Sequence, residues 1–380
     1  MNDTERDRLR RGRFWRLLYF TVSHSFPRRF SYSFEPIESG TPFLLICNHV
    51  TNNDPFFVGL AYKKVPLAFV ASEHIFRQGL LSKLLTRYLA PIARPKADSG
   101  VGTVRAVLKR LREGDPVVLF AEGDCTWNGV SGKIFPATGK LAKAAGVPLV
   151  TYRLEGGYLT FPRWAKKRRR GKMHGRLVHV YTKEELKSMT ADAVEDAINR
   201  DIYYDTWEEQ RNNPVQFRSK APAEGLERAL FICPECGDAD CMASDGSSLY
   251  CTTCGAGWIV DGYGFLKGPS FSTVYEWDEW QKKAVACMKG SGLFRFTGTL
   301  TNLDENASEK AEVSLDADGR ALVLNGRPIP LLEINDMAMV KTNRLLFVRG
   351  DGYYEIKTKR GILRPYLLAW RAFREETEGR

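Results

Sequence analysis

The stretch GVGTVRAVLKRLREGDPVVLF, residues 100 to 120, sets an amphipathic segment directly ahead of a short apolar run. Val101, Val104, Leu108 and Leu111 recur at helical spacing and predict one buried helix face, with Gly114 supplying the stop. PVVLF then reads as a strand. Residues 133 to 154, KIFPATGKLAKAAGVPLVTYRL, repeat the same order. Upstream, residues 43 to 47 and the run VPLAFVA at 65 to 71 also read as buried strands. Helices alternating with apolar strands predict an α/β layer with a mostly parallel sheet, whose site lies in the loops after the strand ends.

The chain has 380 residues, more than one average domain holds, and its 56 Lys and Arg against 45 Asp and Glu give a net charge of +11. That balance favours polyanionic company such as phosphates, anionic lipid or nucleic acid. No apolar run approaches the roughly 18 residues that span a bilayer. The first 30 residues place arginines ahead of an apolar patch at 14 to 22 that Arg16 interrupts, without a small-residue cleavage site. A secretory signal is therefore not expected, and residues 8 to 32 instead read as an interfacial helix lying among lipid headgroups.

TKEELKSMTADAVEDAINRDIYYDTWEEQ, residues 182 to 210, reads as helix, and RNNPVQFRSKAPAEG at 211 to 225 as a linker. The basic run RWAKKRRRGK at 163 to 172 reads as a solvated loop or arm. From about 290 onward, short strands and turns are followed by the amphipathic LRPYLLAWRAF at 363 to 373. This pattern predicts a small antiparallel β-rich module resembling a pleckstrin-homology fold. The expected organisation is an N-terminal helix over 1–30, an α/β domain over 31–215, a cysteine ribbon over 226–268 and the β-rich module over 285–380.

Eight cysteines include two C-x-x-C pairs, CPECG and CTTCG, with fourteen residues between Cys236 and Cys251. Cys233, Cys236, Cys251 and Cys254 at this spacing predict a ribbon with four thiolates around a structural metal, zinc first, with iron in a rubredoxin-like site using the same ligands. Four thiolates close the coordination sphere, so redox or catalytic use is not expected. Cys47, Cys125 and Cys287 read as ordinary thiols, Cys125 near the candidate site, and Cys241 lies inside the ribbon loop. Zinc ribbons in basic proteins often bind nucleic acid. Neither C-terminal module shows the aromatic-plus-basic spacing of such a motif, so this competing class is set aside.

Residues 46 to 57, ICNHVTNNDPFF, put His49 at a strand end and Asp54 five positions on, before Pro55. Asp-Pro reads first as a helix start, the Asp side chain accepting the first free amides. The same carboxylate can hold one nitrogen of His49, leaving the other as a general base. No G-x-S-x-G nucleophile occurs, so the group deprotonated belongs to a substrate. His24, His74, His174 and His179 lack such a partnered motif and read as structural or solvated.

NHVTNNDP at 48–55, APIAR ending at Arg94, VVLFAEGDCT at 117–126 and GVPLVTYR at 146–153 resemble, in order and spacing, the four blocks of the glycerolipid acyltransferases, the 1-acylglycerol-3-phosphate acyltransferase-like family. The resemblance covers about residues 30 to 205. It implies that His49 is the base and Asp54 its partner, that Arg94 contacts an acceptor phosphate, and that Glu122 and Gly123, with Asp124 beside them, line the acceptor site. It further implies acyl transfer from acyl-CoA or acyl carrier protein to a lysophospholipid, without an organic cofactor, on the cytoplasmic face of a membrane carrying anionic lipid. The third block departs from the family's F-P-E-G-T-R at Ala121, Asp124 and Cys125, losing a hydroxyl and a cation and gaining a carboxylate, and in the fourth Thr151 replaces a frequent proline. A zwitterionic or phosphate-free acceptor is the alternative these changes raise.

Overall fold

The computed structural model describes residues 3–72, 86–94, 100–286, 293–316 and 318–378, so His74 and Cys287 lie outside the described residues. The chain forms two compact units, Met1–Pro162 with Arg170–Phe217, and Arg163–Arg169 with Arg218–Arg380.

The first unit opens with helix α1 (Asp3–Phe30). Trp15, Val22 and Phe30 on one of its faces are buried, and Phe26 lies 5.3 and 5.5 Å from the rings of Phe56 and Phe57. Tyr19 donates to the Leu60 carbonyl, and Arg11 pairs with Asp115 at 3.3 Å. Leu9, Leu17 and Phe20 face outward. Among the described residues, no helix is long and apolar enough to cross a membrane.

Strands β1 (Tyr32–Phe34) to β7 (Met173–Tyr181) form a seven-stranded sheet in the order β1-β7-β6-β2-β5-β3-β4. Its centre is β2 (Leu44–Cys47), β5 (Val117–Phe120) and β6 (Leu149–Glu155), with β3 (Ala68–Ser72) and β4 (Ile92–Arg94) beyond β5. All neighbours are parallel except β6 and β7. β2 is buried on both faces, which is why it reads as an unbroken apolar run. Helices α2 (Asp54–Leu60), α3 (Val101–Arg112), α4 (Thr138–Ala145), α5 (Gly157–Thr160), α6 (Lys183–Ser188), α7 (Ala191–Ile202) and α8 (Thr206–Asn212) complete the unit. Leu44, Ile46, Val117, Leu149, Val194 and Ile198 share its core.

Two sequence expectations are corrected here. The buried face of α3 is Thr103, Val107 and Leu111, while Val101 and Val104 are exposed; a threonine methyl fills the first buried turn where the pattern counted only valines and leucines. Residues 182 to 210 form three helices, because Thr182 makes a capping box, Thr190 caps α7 and Asp205 caps α8, each side chain drawing backbone amides to itself.

In the second unit, β8 (Met242–Asp245), β9 (Ser248–Cys251), β10 (Gly257–Val260) and β11 (Leu266–Lys267) form a small antiparallel sheet. Helix α9 (Val274–Ala286) follows, its Trp277 packed 4.5 Å from Trp258. A second seven-stranded sheet, entirely antiparallel, runs from β12 (Leu293–Asn302), β13 (Ala307–Leu315), β14 (Ala321–Leu324) and β15 (Arg327–Pro330) to β16 (Ile334–Val340), β17 (Arg344–Arg349) and β18 (Gly352–Lys357). Its order is β15-β14-β13-β12-β18-β17-β16, two meanders joined where β12 pairs β18. Helix α10 (Arg364–Glu378) closes the unit, and its buried Arg364 pairs with the buried Asp278 of α9 at 2.6 Å.

The basic run is not a solvated arm. Trp164 and Arg169 are buried, Arg169 donates to the Pro222 carbonyl, Lys166 bonds Glu224 through the backbone, and Arg163 donates to the Met339 carbonyl. Nor are residues 211 to 225 a free linker, since Phe217, Ala221 and Ala223 are buried. The Pro222 and Glu224 carbonyls accept from Arg169 and from the Lys166 amide.

Candidate active site

The register pairs Cys47, the last residue of β2, with Phe120, the last of β5, so these two strands end at one level beside β6, which runs on to Glu155. This is the carboxyl edge of the parallel strands, where crevices form in open α/β sheets. Asn48, fully buried, fixes the exit of β2: its amide donates to the Leu154 carbonyl and its oxygen accepts the Leu154 amide, extending the β2–β6 ladder by one side chain. His49 follows at the mouth.

Asp54 is wholly buried and faces backward. Its Oδ2 meets His49 Nδ1 at 2.8 Å and accepts the Val50 amide at 2.6 Å, while Oδ1 accepts the Thr51 hydroxyl at 2.7 Å and the Thr51 amide at 3.0 Å. The expectation that Asp54 caps the helix ahead of it is therefore corrected: Asn53 occupies the cap position, and Pro55 has no N–H to offer. The carboxylate instead closes a five-residue loop on itself. That geometry fixes the tautomer with the proton on Nδ1 and leaves Nε2 to act.

Phe120 stacks on the imidazole at 4.4 Å and 19°. Burial works against a charged ring, yet the charges of Cys125 and Asp54 and their hydrogen bonds hold the His49 pKa well above the ordinary histidine value.

Glu122 holds the site from the other side. Its Oε1 accepts the His49 amide at 2.8 Å and its Oε2 accepts the Gly132 amide at 2.6 Å. Both carboxylate oxygens thus bind backbone, tying the loop after β2 to the loop after β5. Burial lifts its pKa to about 7 against the opposite pull of those amides.

Gly123 has φ +76°, and a Cβ there would fall 2.2 Å from the ring of Phe135, so glycine is required both for the backbone conformation and for that ring. Over the same ring, at 4.0 Å from its centroid, lies the guanidinium of Arg94 at the end of β4. Phe135 therefore links Arg94 to the Glu122-Gly123 turn, a role the sequence reading missed; its only signal was an aromatic residue near the third block. Asp124 turns an oxygen to the Cys125 amide at 3.0 Å, and the Cys125 sulfur reaches within 3.5 Å of both ring nitrogens of His49. In the fourth block, Thr151 donates to the buried Asp201 at 2.9 Å, which also accepts from Tyr181 at 2.7 Å.

The second unit holds the four predicted thiols together. The sulfurs of Cys233, Cys236, Cys251 and Cys254 all lie within 4.8 Å of one another, with Cys233 to Cys254 at 3.7 Å and Cys236 to Cys251 at 3.8 Å. A tetrahedron with metal–sulfur bonds of about 2.3 Å has edges of about 3.8 Å, so the cluster fits a metal ion. Each knuckle ends in a glycine at positive φ, Gly237 and Gly255, whose amide returns to the carbonyl of the first cysteine. Amides of Thr253 and Cys254 point at the Cys251 sulfur, where they favour a thiolate. Cys241 stands outside this set, donating to the Asp238 carbonyl.

Residues 29–155 match the model of the Acyltransferase family. No curated protein matches the chain. Among solved structures, the chain is similar to the 1-acyl-sn-glycerophosphate (LPA) acyltransferase PlsC from Thermotoga maritima, at 18% identity and a TM-score of 0.44, over 53% of this chain and 82% of that one. The strand-end histidine and its buried carboxylate both fall inside the matched residues, and the chain carries an acyltransferase-family domain.

Proposed function

We propose that this protein transfers a fatty acyl group from a thioester, acyl-CoA or acyl carrier protein, to the hydroxyl of a lysophospholipid in phospholipid synthesis, with 1-acylglycerol-3-phosphate as the leading acceptor. The observation that carries this reading is the 2.8 Å contact between His49 Nδ1 and a wholly buried Asp54, which leaves Nε2 to take a proton from the acceptor hydroxyl. The acceptor oxygen then attacks the thioester carbonyl, the carbon–sulfur bond breaks, and the departing thiolate takes the proton back from His49 to leave as a free thiol. Arg94 on Phe135 supports phosphate recognition, since a guanidinium supplies the fork a phosphate requires. Asp124 favours the second reading, a zwitterionic or phosphate-free head, because a carboxylate repels a phosphate unless a cation neutralises it.

The cysteine cluster is assigned to zinc as a closed, structural site. The antiparallel sheet is read as pleckstrin-homology-like from its two meanders and terminal helix. Membrane attachment is assigned to α1, whose outward face interleaves Leu9, Leu17 and Phe20 with Arg13, Arg16 and Arg28 and so suits an anionic cytoplasmic surface.

The test is release of free thiol from acyl-CoA and from acyl carrier protein in the presence of a panel of lysophospholipids. Acceptor-dependent release by the native chain, lost in a folded His49→Ala variant, is the expected result. Acceptor-independent or absent release across the panel overturns the assignment, and salt-sensitive oligonucleotide retention without turnover would favour a nucleic-acid-binding protein.

A further inference from the structure

Cys125 stands where the family's third block usually carries a cation, and it faces the imidazole rather than solvent. Its distance from His49 is built by the backbone: the Thr126 amide, one residue on, donates to the His49 carbonyl at 2.9 Å and clamps the two loops together. The sulfur lies 3.5 Å from Nδ1 and 3.5 Å from Nε2. The sulfur is thus equidistant from the two nitrogens of a ring on which Phe120 stacks at 4.4 Å. Nδ1 is committed to Asp54, so Nε2 is the nitrogen with which the thiol can exchange a proton, after a rotation about the Cys125 Cα–Cβ bond. Among the described residues, only this thiol comes within hydrogen-bonding distance of Nε2. A thiol, an imidazole and a carboxylate in series form an activated-nucleophile arrangement, and such contacts are commonly looser without substrate.

We infer that Cys125 is a catalytic nucleophile, taking the acyl group onto its sulfur before the acceptor receives it. The inference rests on the thioester-dependent transfer proposed above and changes its route. In the first half, Nε2 of His49 takes the thiol proton, the Cys125 sulfur attacks the thioester carbonyl, and the carbon–sulfur bond to the donor breaks. The departing donor thiolate receives the proton from His49 and leaves as a free thiol. In the second half, Nε2 takes the acceptor hydroxyl proton, the oxygen attacks the acyl carbon, and its bond to Cys125 breaks. The cysteine thiolate then recovers the proton from His49. One acyl group has moved from sulfur to oxygen, with no oxidant or reductant.

Mixing the full chain with palmitoyl-CoA in the absence of acceptor, followed by acid quench and intact-mass measurement, tests the inference. The expected result is one palmitoyl group per chain, removable by hydroxylamine, mapping to the peptide that contains Cys125, with a matching burst of one CoA. Added lysophospholipid should discharge the adduct at least as fast as steady turnover. Cys125→Ala should abolish the adduct and lower turnover by at least about a hundredfold. An active native chain that forms no adduct overturns the inference whatever the variant does, and so does a Cys125→Ala protein that turns over within a few-fold of native. Those outcomes leave acyl transfer standing, by direct attack. A native chain that releases no thiol with any donor and acceptor instead overturns the transferase reading itself.

Discussion

The His49 loop and each knuckle of the cysteine ribbon are short segments closed by hydrogen bonds, yet they are held in opposite ways. Each knuckle of the ribbon is complete within its own C-x-x-C-G, and the flanking strands β8 to β11 are only two to four residues long. The strands bury Leu249, Trp258, Val260 and Leu266, and a bound metal would tie the two knuckles at their end together. The His49 loop closes locally through Asp54 but is positioned by a sheet, by Asn48 on β6 and by Glu122 after β5. A site held by its own ligand is legible in sequence and fragile to a chelator. A site held by a sheet is indifferent to a chelator, and the supports that reach it from other strands are hidden from the sequence.

The comparison predicts its largest effect in the ribbon. Native protein should carry one zinc per chain by elemental analysis, and Cys251→Ser or a chelator should lose it together with the Trp258 environment, since structural zinc contributes about 10–16 kcal/mol of apparent binding free energy. Unchanged tryptophan fluorescence after complete chelation would break the contrast. Next, His49→Ala should lower acyl transfer by about 10²- to 10⁴-fold with an unaltered circular dichroism spectrum; a change in that spectrum would mean the loop supports the sheet rather than the reverse.

Removing the Glu122 carboxylate leaves the part-buried His49 amide without its acceptor, at a cost of about 1–3 kcal/mol, while the exposed Gly132 amide can turn to water. Glu122→Ala should accordingly lower the denaturation midpoint and kcat together, and a fall in kcat alone would give Glu122 a direct part in the chemistry. The smallest effect belongs to the ring under Arg94. Phe135→Leu should raise KM for a phosphate-bearing acceptor by about 2- to 30-fold, the equivalent of about 0.5–2 kcal/mol of cation–π attraction, with kcat and the donor KM little changed. In an Arg94→Ala background the same substitution should have no further effect on KM.

pH sharpens the picture of His49. A general base works unprotonated, so a raised pKa moves the acid limb of the rate profile upward, above the usual histidine value of about 6.5. Activity should rise with pH through that limb. In Asp54→Asn the limb should move down toward the ordinary value while the maximal rate falls, because a stabilising charge and the tautomer control are lost together.

How far the sequence carried the reader can be argued residue by residue. Leu44 to Cys47 and Val117 to Phe120 announced themselves because strands covered on both faces need unbroken apolar runs. His49 and Asp54 were legible because both lie in one loop. Glu122 was legible as a site residue, but its partners are amides at positions 49 and 132, and a backbone amide leaves no mark in a sequence. Phe135 was opaque because its role depends on Arg94 brought over by β4, and Cys125 was legible as a thiol near the site but not as a neighbour of the imidazole. Thr151 was legible only as the replacement of a frequent proline, and its hydroxyl meets Asp201, fifty residues on.

The captured basic segment bears on the order in which the chain is made. Arg163–Arg169 emerges from the ribosome ahead of Arg170–Phe217, which belongs to the first unit, and well ahead of Pro222, Glu224 and Met339, whose carbonyls receive its hydrogen bonds. During synthesis the first unit can assemble its sheet while Trp164 and four consecutive cations wait without their partners. A nascent chain stalled near residue 220 would display the Trp164 indole beside a positive run, whereas in the finished chain the indole is buried and, of these cations, Lys166 and Lys167 alone stay exposed to carry the charge outward.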